Sequence, residues 1–318
     1  MRKRLTVIAL GGNALLQRGE DGTFEQQFAN ASRTAQTICN IIREDSMIAI
    51  THGNGPQVGA TLLRHDAGMK TYSVPAFPMD VCGAETQGFI GYMLQQALNN
   101  EFIKRGISRR ALTVVTRVLV DERDDAFLNP TKPVGPFYTK EQAEQLSTSN
   151  PSLVFKEDSG RGYRRLVPSP EPKEILEKDV IARLVELGYV VICTGGGGIP
   201  VVAKREGGHY GVEAVIDKDL AAERLATILE ADRLVILTDV DAVYLNYGKK
   251  DSKALSEVRV SEIESYMNLG QFALGSMGPK VKAAIRFIRN GGEEAIIANL
   301  NMLEKSIVGK SGTRVLPD

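Results

Sequence analysis

Residues 189–202 read YVVICTGGGGIPVV, a β-branched apolar run halted by four successive glycines, Gly195 to Gly198, before the chain turns apolar again. A continuous apolar run bounded by glycine reads as a strand buried on both faces, the kind found in parallel sheets that helices cover. The same pattern recurs in LTVIAL (5–10), MIAIT (47–51), LVILTDV (234–240) and EAIIAN (294–299). Helical patterns such as FEQQFANASRTAQTICNIIRE (24–44) stand between these runs. Strands alternating with helices imply parallel strands joined by crossover helices, and so an α/β chain with a central, mainly parallel sheet. The glycines then pose a question of their own: something comes so close to the backbone that a side chain is refused four times.

The totals exclude several function classes. At 318 residues the chain suits one large α/β domain or two lobes. With 39 basic and 39 acidic side chains it has no global field to attract nucleic acid. No apolar stretch approaches a membrane span. The start, MRKRLTVIALGGN, is basic, but its apolar run is short and lacks a small-residue cleavage site, so it reads as a first strand and not as a signal peptide. Three cysteines, Cys39, Cys82 and Cys193, form no C-x-x-C pair and point to reduced, buried thiols in a cytoplasmic setting. His52, His65 and His209 share no metal-ligand spacing, so no protein metal site is expected. From Asp121 to about Pro172 the rhythm breaks, with prolines at 130, 133, 136, 151, 168, 170 and 172, which suggests a small inserted subdomain. The segment AETQGFIGYMLQQALNNEFIKR (84–105) reads as a long helix carrying Phe89, Ile90, Met93, Leu94, Leu98, Phe102 and Ile103. That stripe faces the core or, being wide, a second copy of the chain.

Three glycine clusters follow expected strands: Gly11, Gly12 and Asn13 after LTVIAL, Gly53, Asn54 and Gly55 after MIAITH, and Gly195 to Gly198 after VVICT. In a parallel sheet all three lie at the carboxyl edge, where such proteins bind ligands, and bare backbone N–H groups there suit an anion. Each could singly be a tight turn; their equivalent placement favours one shared site. The GNGPQVG stretch has the spacing G-x-G-x-x-x-G and lacks a convincing acidic partner, so it is a poor dinucleotide fingerprint. VGKSGT near the end lacks the first glycine of a P-loop, whose place falls on Glu304.

Two lysines sit where helix chemistry disfavours them. Asp217, Lys218 and Asp219 precede an amphipathic pattern, with Asp219 read as the N-cap. Solvated charges beside a cap account for that segment as well. Lys280 falls in the first turn of GSMGPKVKAAIRFIRNGG, a helix with Pro279 near its start, Val281, Ala284, Ile285 and Ile288 on one face and Gly291 at its stop. A cation there opposes the helix macrodipole by about 0.3–1 kcal/mol. A bound anion reverses the sign, and phosphate held between two such ends is what phosphoryl transfer requires.

In order along the chain, ALGGNALLQRG, THGNGPQVG, NPTKPVGPFY, EDSGRGYRR, VPSPEP, GGGGIPV, AVIDKDLA, LTDVDAVY and GSMGPKV resemble the motifs of the carbamate kinases, a branch of the amino acid kinase superfamily. The match runs over nearly the whole chain. Arg117 departs from it, standing where the family pattern has glutamine, and so does Leu166, where valine is usual. The resemblance implies a three-layer αβα sandwich with a protruding subdomain at 121–172, an acceptor lobe at 1–200 and a nucleotide lobe at 201–318 within a single domain. It implies a homodimer and reversible transfer of a phosphoryl group from Mg2+-bound ATP to carbamate, giving ADP and carbamoyl phosphate. On the matching positions, Gly11, Gly12, Asn13, Gly53, Asn54 and Gly55 would cradle the transferred group, with Gly195, Gly196, Gly197 and Gly198 bordering the acceptor. Lys218 and Lys280 would neutralise it, Asp219 would orient both lysines, and Lys132 would reach over from the subdomain. Asp217, Thr238, Asp239, Tyr244, Gly275, Met277 and Gly278 would lie along the nucleotide, and magnesium would be held mainly by phosphate oxygens and water. Taken alone, Asp239 reads equally as a turn cap, Tyr244 as packing and Lys132 as a surface charge. A kinase for another small acid or phosphate, and a non-catalytic nucleotide sensor, are the other readings. Loss of Lys218, Lys280 or Asp219 would mark the sensor, and all three are present.

Overall fold

Eight strands pair into one sheet in the spatial order Glu257–Arg259, Thr313–Leu316, Glu294–Asn299, Arg233–Thr238, Arg4–Leu10, Ser46–His52, Val190–Ile192, Ala111–Thr113. The structure, a computed structural model, describes residues 3–318 apart from 18, 152, 158, 159, 161 and 274, with the side chains of Asn13 and Pro136 also left out. Asp158, Ser159 and Arg161 of the EDSGRGYRR stretch thus lie outside the described residues. Every neighbouring pair in this sheet is parallel except Glu294–Asn299 with Thr313–Leu316.

The apolar runs become strands because both of their faces are covered. Leu5, Val7 and Ala9 join one core with Val191, Leu234 and Ile236, while Ile8 and Leu10 join another with Ile50, Ile192 and Val235. Against the first core pack the helices Lys178–Glu186, Lys218–Ile228, Val260–Asn268 and Met277–Arg289. The second is covered by Phe24–Cys39 and Met79–Arg105. Helices on both faces of one sheet make the expected three layers. On the long helix Ile90, Met93, Leu94, Leu98 and Phe102 are buried, but Ile103, expected on the same stripe, is 71% exposed.

Outside the main sheet, Lys132–Tyr138, Tyr163–Val167 and Val154–Glu157 form a three-stranded antiparallel sheet beside the helix Lys140–Ser149. Pro133 and Pro136 fall on its edge strand, the place where proline disrupts a ladder least. Gly135, at φ 77°, meets Gly59 of the helix Gly55–Tyr72 so closely that a Cβ on Gly59 would lie 1.9 Å from the Gly135 Cα. The small sheet is thereby seated over the carboxyl edge of the large one.

Candidate active site

The three glycine turns close neighbouring strands, Arg4–Leu10, Ser46–His52 and Val190–Ile192, and so stand side by side at one edge. What refuses side chains at Gly195 to Gly198 is the protein itself. A Cβ would lie 2.4 Å from His52 Nε2 at Gly195, 2.2 Å from the Asn54 amide at Gly196, 2.5 Å from the Ile216 carbonyl oxygen at Gly197 and 2.2 Å from Val118 Cγ2 at Gly198. Gly196, Gly197 and Gly198 also hold φ of 67°, 96° and 90°, which side chains resist. Of the four, Gly196 alone lines a hollow among the described pockets. Close packing of neighbouring loops, before any ligand, explains the run.

Lys218 opens the helix Lys218–Ile228 and Lys280 stands in the first turn of Met277–Arg289. The expected N-cap at Asp219 is corrected: Asp217 caps the helix, its Oδ1 accepting from the backbone N–H of Asp219 at 2.9 Å and of Leu220 at 3.4 Å. Asp219 is freed for another task because it lies one turn inside, 3% exposed, between the two lysines. Its Oδ1 accepts from Lys218 Nζ, and its Oδ2 accepts from Lys280 Nζ at 3.0 Å. Burial alone would raise the Asp219 pKa, but both ammonium groups outweigh it and hold the carboxyl well below the ordinary range. Burial pulls the Lys218 pKa down despite Asp219, whereas at Lys280 the pull of Asp219 overcomes burial and raises it. Lys132, reaching across from the small sheet, donates to Asp217 Oδ2 at 2.5 Å. Burial pushes against the charged form of Asp217, yet Lys132 and Lys218 keep its pKa lowered.

Three adjoining hollows meet at Lys280. One of about 170 Å3 lies between Gly12, Gly53, Asn54, Gly55, Gly196 and the cations Lys132, Lys218 and Lys280. A second, about 490 Å3, runs from Gly11, Gly12 and Lys218 past Thr238 and Asp239 to Asn299 and Asn301. The third, about 280 Å3, has apolar walls from Tyr244, Tyr247, Phe272 and Met277. Most of the expected site residues therefore converge. Asp217 and Gly275 line the glycine hollow and not the aromatic one, contrary to their expected place along a nucleotide. Gly278 lines none of the three; a Cβ there would meet the Ala273 carbonyl oxygen at 3.0 Å, so it serves the helix start. Asn13 begins the turn after the first strand, but its side chain is outside the described part.

Sequence reasoning missed several residues. Asn299 ends a strand beside the one ending at Thr238, and its Nδ2 donates to the Asp239 carbonyl at 3.0 Å; its position at a carboxyl strand end was the available signal. Tyr247 stands with its ring 5.8 Å from that of Tyr244. Gln87 and Thr86 lie on the long helix, where an apolar stripe masked them. The departure at Arg117 is accommodated by Glu177, which accepts from the Arg117 backbone N–H and from its Nε, each at 2.7 Å.

Residues 4–299 match the amino acid kinase family. The chain is 55% identical over 317 residues to the carbamate kinase of Pyrococcus furiosus, covering all of both chains. It is 55% identical to that of Thermococcus kodakarensis, covering 98% of each. It also superposes on the structure of a Giardia lamblia carbamate kinase bound to AMP-PNP with a TM-score of 0.91 at 47% identity, 99% of each chain being covered.

Proposed function

Since this chain belongs to the amino acid kinase family, as one of its carbamate kinases, we propose that its three hollows hold the acceptor, the phosphate chain and the nucleoside of one phosphoryl transfer. The enzyme catalyses reversible transfer between ATP and carbamate, giving ADP and carbamoyl phosphate. One observation carries the assignment of residues: two ammonium groups share a buried carboxylate where the hollows join.

Carbamate occupies the glycine hollow, against Gly53, Asn54, Gly55 and Gly196, with Lys132 above it. A carbamate oxygen attacks the γ-phosphorus, the bond to the bridging oxygen of ADP breaks, and charge spreads over the transferring oxygens. Lys218 and Lys280 neutralise that charge from fixed positions, which is where electrostatic catalysis gains most. Asp219 keeps both amines protonated and aimed without touching the reacting atoms. Thr238, Asp239, Asn299 and the turn at Gly11 and Gly12 flank the phosphates; Tyr244, Tyr247, Phe272 and Met277 enclose the base. The phosphate hollow offers Asp239 and amide oxygens, and no cluster of three His, Cys, Asp or Glu suited to a metal occurs among the described residues. That donor set fits Mg2+ carried in by the nucleotide, whose charge lowers the repulsion between phosphate and attacker. Residues 1–200 thus serve mainly the acceptor and 201–318 mainly the nucleotide. The exposed Tyr92 and Ile103 of the long helix support a homodimer, which sedimentation would reveal. Three free, buried cysteines support a cytoplasmic setting.

Incubation with carbamoyl phosphate and Mg2+-ADP should yield ATP, and none should form without Mg2+. Lys280→Ala should lower turnover about 10²–10³-fold with the fold retained. A near-normal rate removes that lysine from the mechanism; nucleotide binding without any ATP formation would mark a sensor.

A further inference from the structure

The loops of the glycine hollow are held from behind by two consecutive residues of the long helix, Thr86 and Gln87, neither of which lines the hollow. Both are buried, at 0% and 2% exposure. Thr86 Oγ1 donates to the Gly83 carbonyl at 2.6 Å and accepts from Asn54 Nδ2 at 2.8 Å. Gln87 Nε2 donates to the carbonyls of Gly195 at 3.0 Å and Thr116 at 3.1 Å, and its Oε1 accepts from the Thr116 N–H at 2.8 Å. Thr116 in turn accepts through Oγ1 from the N–H of Thr194 at 3.0 Å. Thr194 needs such support: it sits at φ 49°, a region costly for a β-branched residue, immediately before the glycines. Thr51 Oγ1 donates to its carbonyl at 2.9 Å.

Asn54 and Gly196 belong to different loops, on adjacent strands, yet touch so closely that no Cβ fits between them. Their relative position cannot come from backbone pairing, because both lie beyond the ends of their strands. One turn of one helix supplies it, with adjacent side chains fastening Asn54 through Thr86 and Gly195 through Gln87. Neutral amides and hydroxyls suit this task, since a charge there would disturb the field of the lysines in front.

We propose that Thr86 and Gln87 are positioning residues for the acceptor, setting Asn54 against the Gly195–Gly198 turn so that both can grip it. The proposal rests on the reading of the glycine hollow as the acceptor site. Losing either anchor leaves the helix and the nucleotide side in place but loosens the acceptor cradle.

The test is steady-state kinetics of ATP formation with Thr86→Val, Thr86→Ser, Gln87→Met and Asn54→Ala, alongside thermal unfolding. Thr86→Val and Gln87→Met should raise KM for carbamoyl phosphate about tenfold, the effect of one unpaired buried polar group, while KM for Mg2+-ADP stays within about twofold. Thr86→Ser, which keeps the hydroxyl, should restore near-native values. Equal rises in both KM values, unchanged kinetics in folded Thr86→Val, or a serine variant as impaired as the valine one would each overturn the proposal. If Thr86→Val does not fold while Thr86→Ser does, the hydroxyl serves stability and the proposal is likewise overturned. If Asn54→Ala leaves KM for carbamoyl phosphate unchanged, it is the acceptor-site reading that fails; if Asn54→Ala raises it and Thr86→Val does not, the positioning role alone fails.

Discussion

His52 is 1% exposed beneath the first of the four glycines, with its Nδ1 3.0 Å from the Gly53 carbonyl oxygen. Burial lowers its pKa from 6.5 to about 4, the carbonyl contact offsetting only part of the shift. The folded protein therefore keeps this ring neutral where the unfolded chain already takes up a proton. Stability should fall as pH drops from 6.5 to about 4, by about 3 kcal/mol from this residue, and no further below. Urea unfolding of His52→Gln should lack that slope, although its overall stability is lower; an identical slope would show that the ring does not cause it. Asp219 acts in the next window down. Its folded pKa is depressed, so its contribution is complete above an unfolded value of about 3.9 and drains away as pH falls further.

At the scale of elements, the start of the helix Lys218–Ile228 reconciles two demands. A lysine at the first helical position is unfavourable, yet here Asp217 satisfies the backbone donors before it and Asp219 neutralises the charge after it. Asp217 also receives Lys132, so capping and the tie to the small sheet share one carboxylate. The two roles separate by substitution. Asp217→Asn keeps a capping oxygen and should cost little stability, whereas Asp217→Ala should cost about 1 kcal/mol or more. Both should weaken the hold on Lys132. Equal stability of the two variants in urea would deny the cap. The sequence pattern placed this helix and its lysine correctly but chose the wrong aspartate, because adjacent acidic residues are equivalent in pattern and differ only in backbone angle.

Across the whole molecule, the opposite edge of the large sheet is tied by an ion network. Glu294, 3% exposed, accepts from Arg233 Nε and from Arg314 Nε, each at 2.6 Å, so three neighbouring strands are joined at their ends. Removing the carboxylate leaves two guanidinium groups facing each other with little water. Glu294→Ala should destabilise by about 3–5 kcal/mol. Below its lowered melting temperature it should retain near-native KM values, since the site lies at the other edge. A thermal melt within a degree of the parent would contradict this.

The layered fold was legible along the chain because continuous apolar runs have one stable use, a strand covered on both faces, and because glycines after such strands mark the ligand-binding edge. Lys218 and Lys280 were legible as charges placed against the helix dipole. Local pattern could not show that Asp219 joins them, since that contact spans 61 residues of sequence. Nor could it show that His52, Asn54, Ile216 and Val118 fill the spaces beside Gly195 to Gly198, or that Thr86 and Gln87 reach behind them. Those facts depend on the relative placement of strands, which is decided only when the two cores close on the sheet and bring distant loops within packing distance.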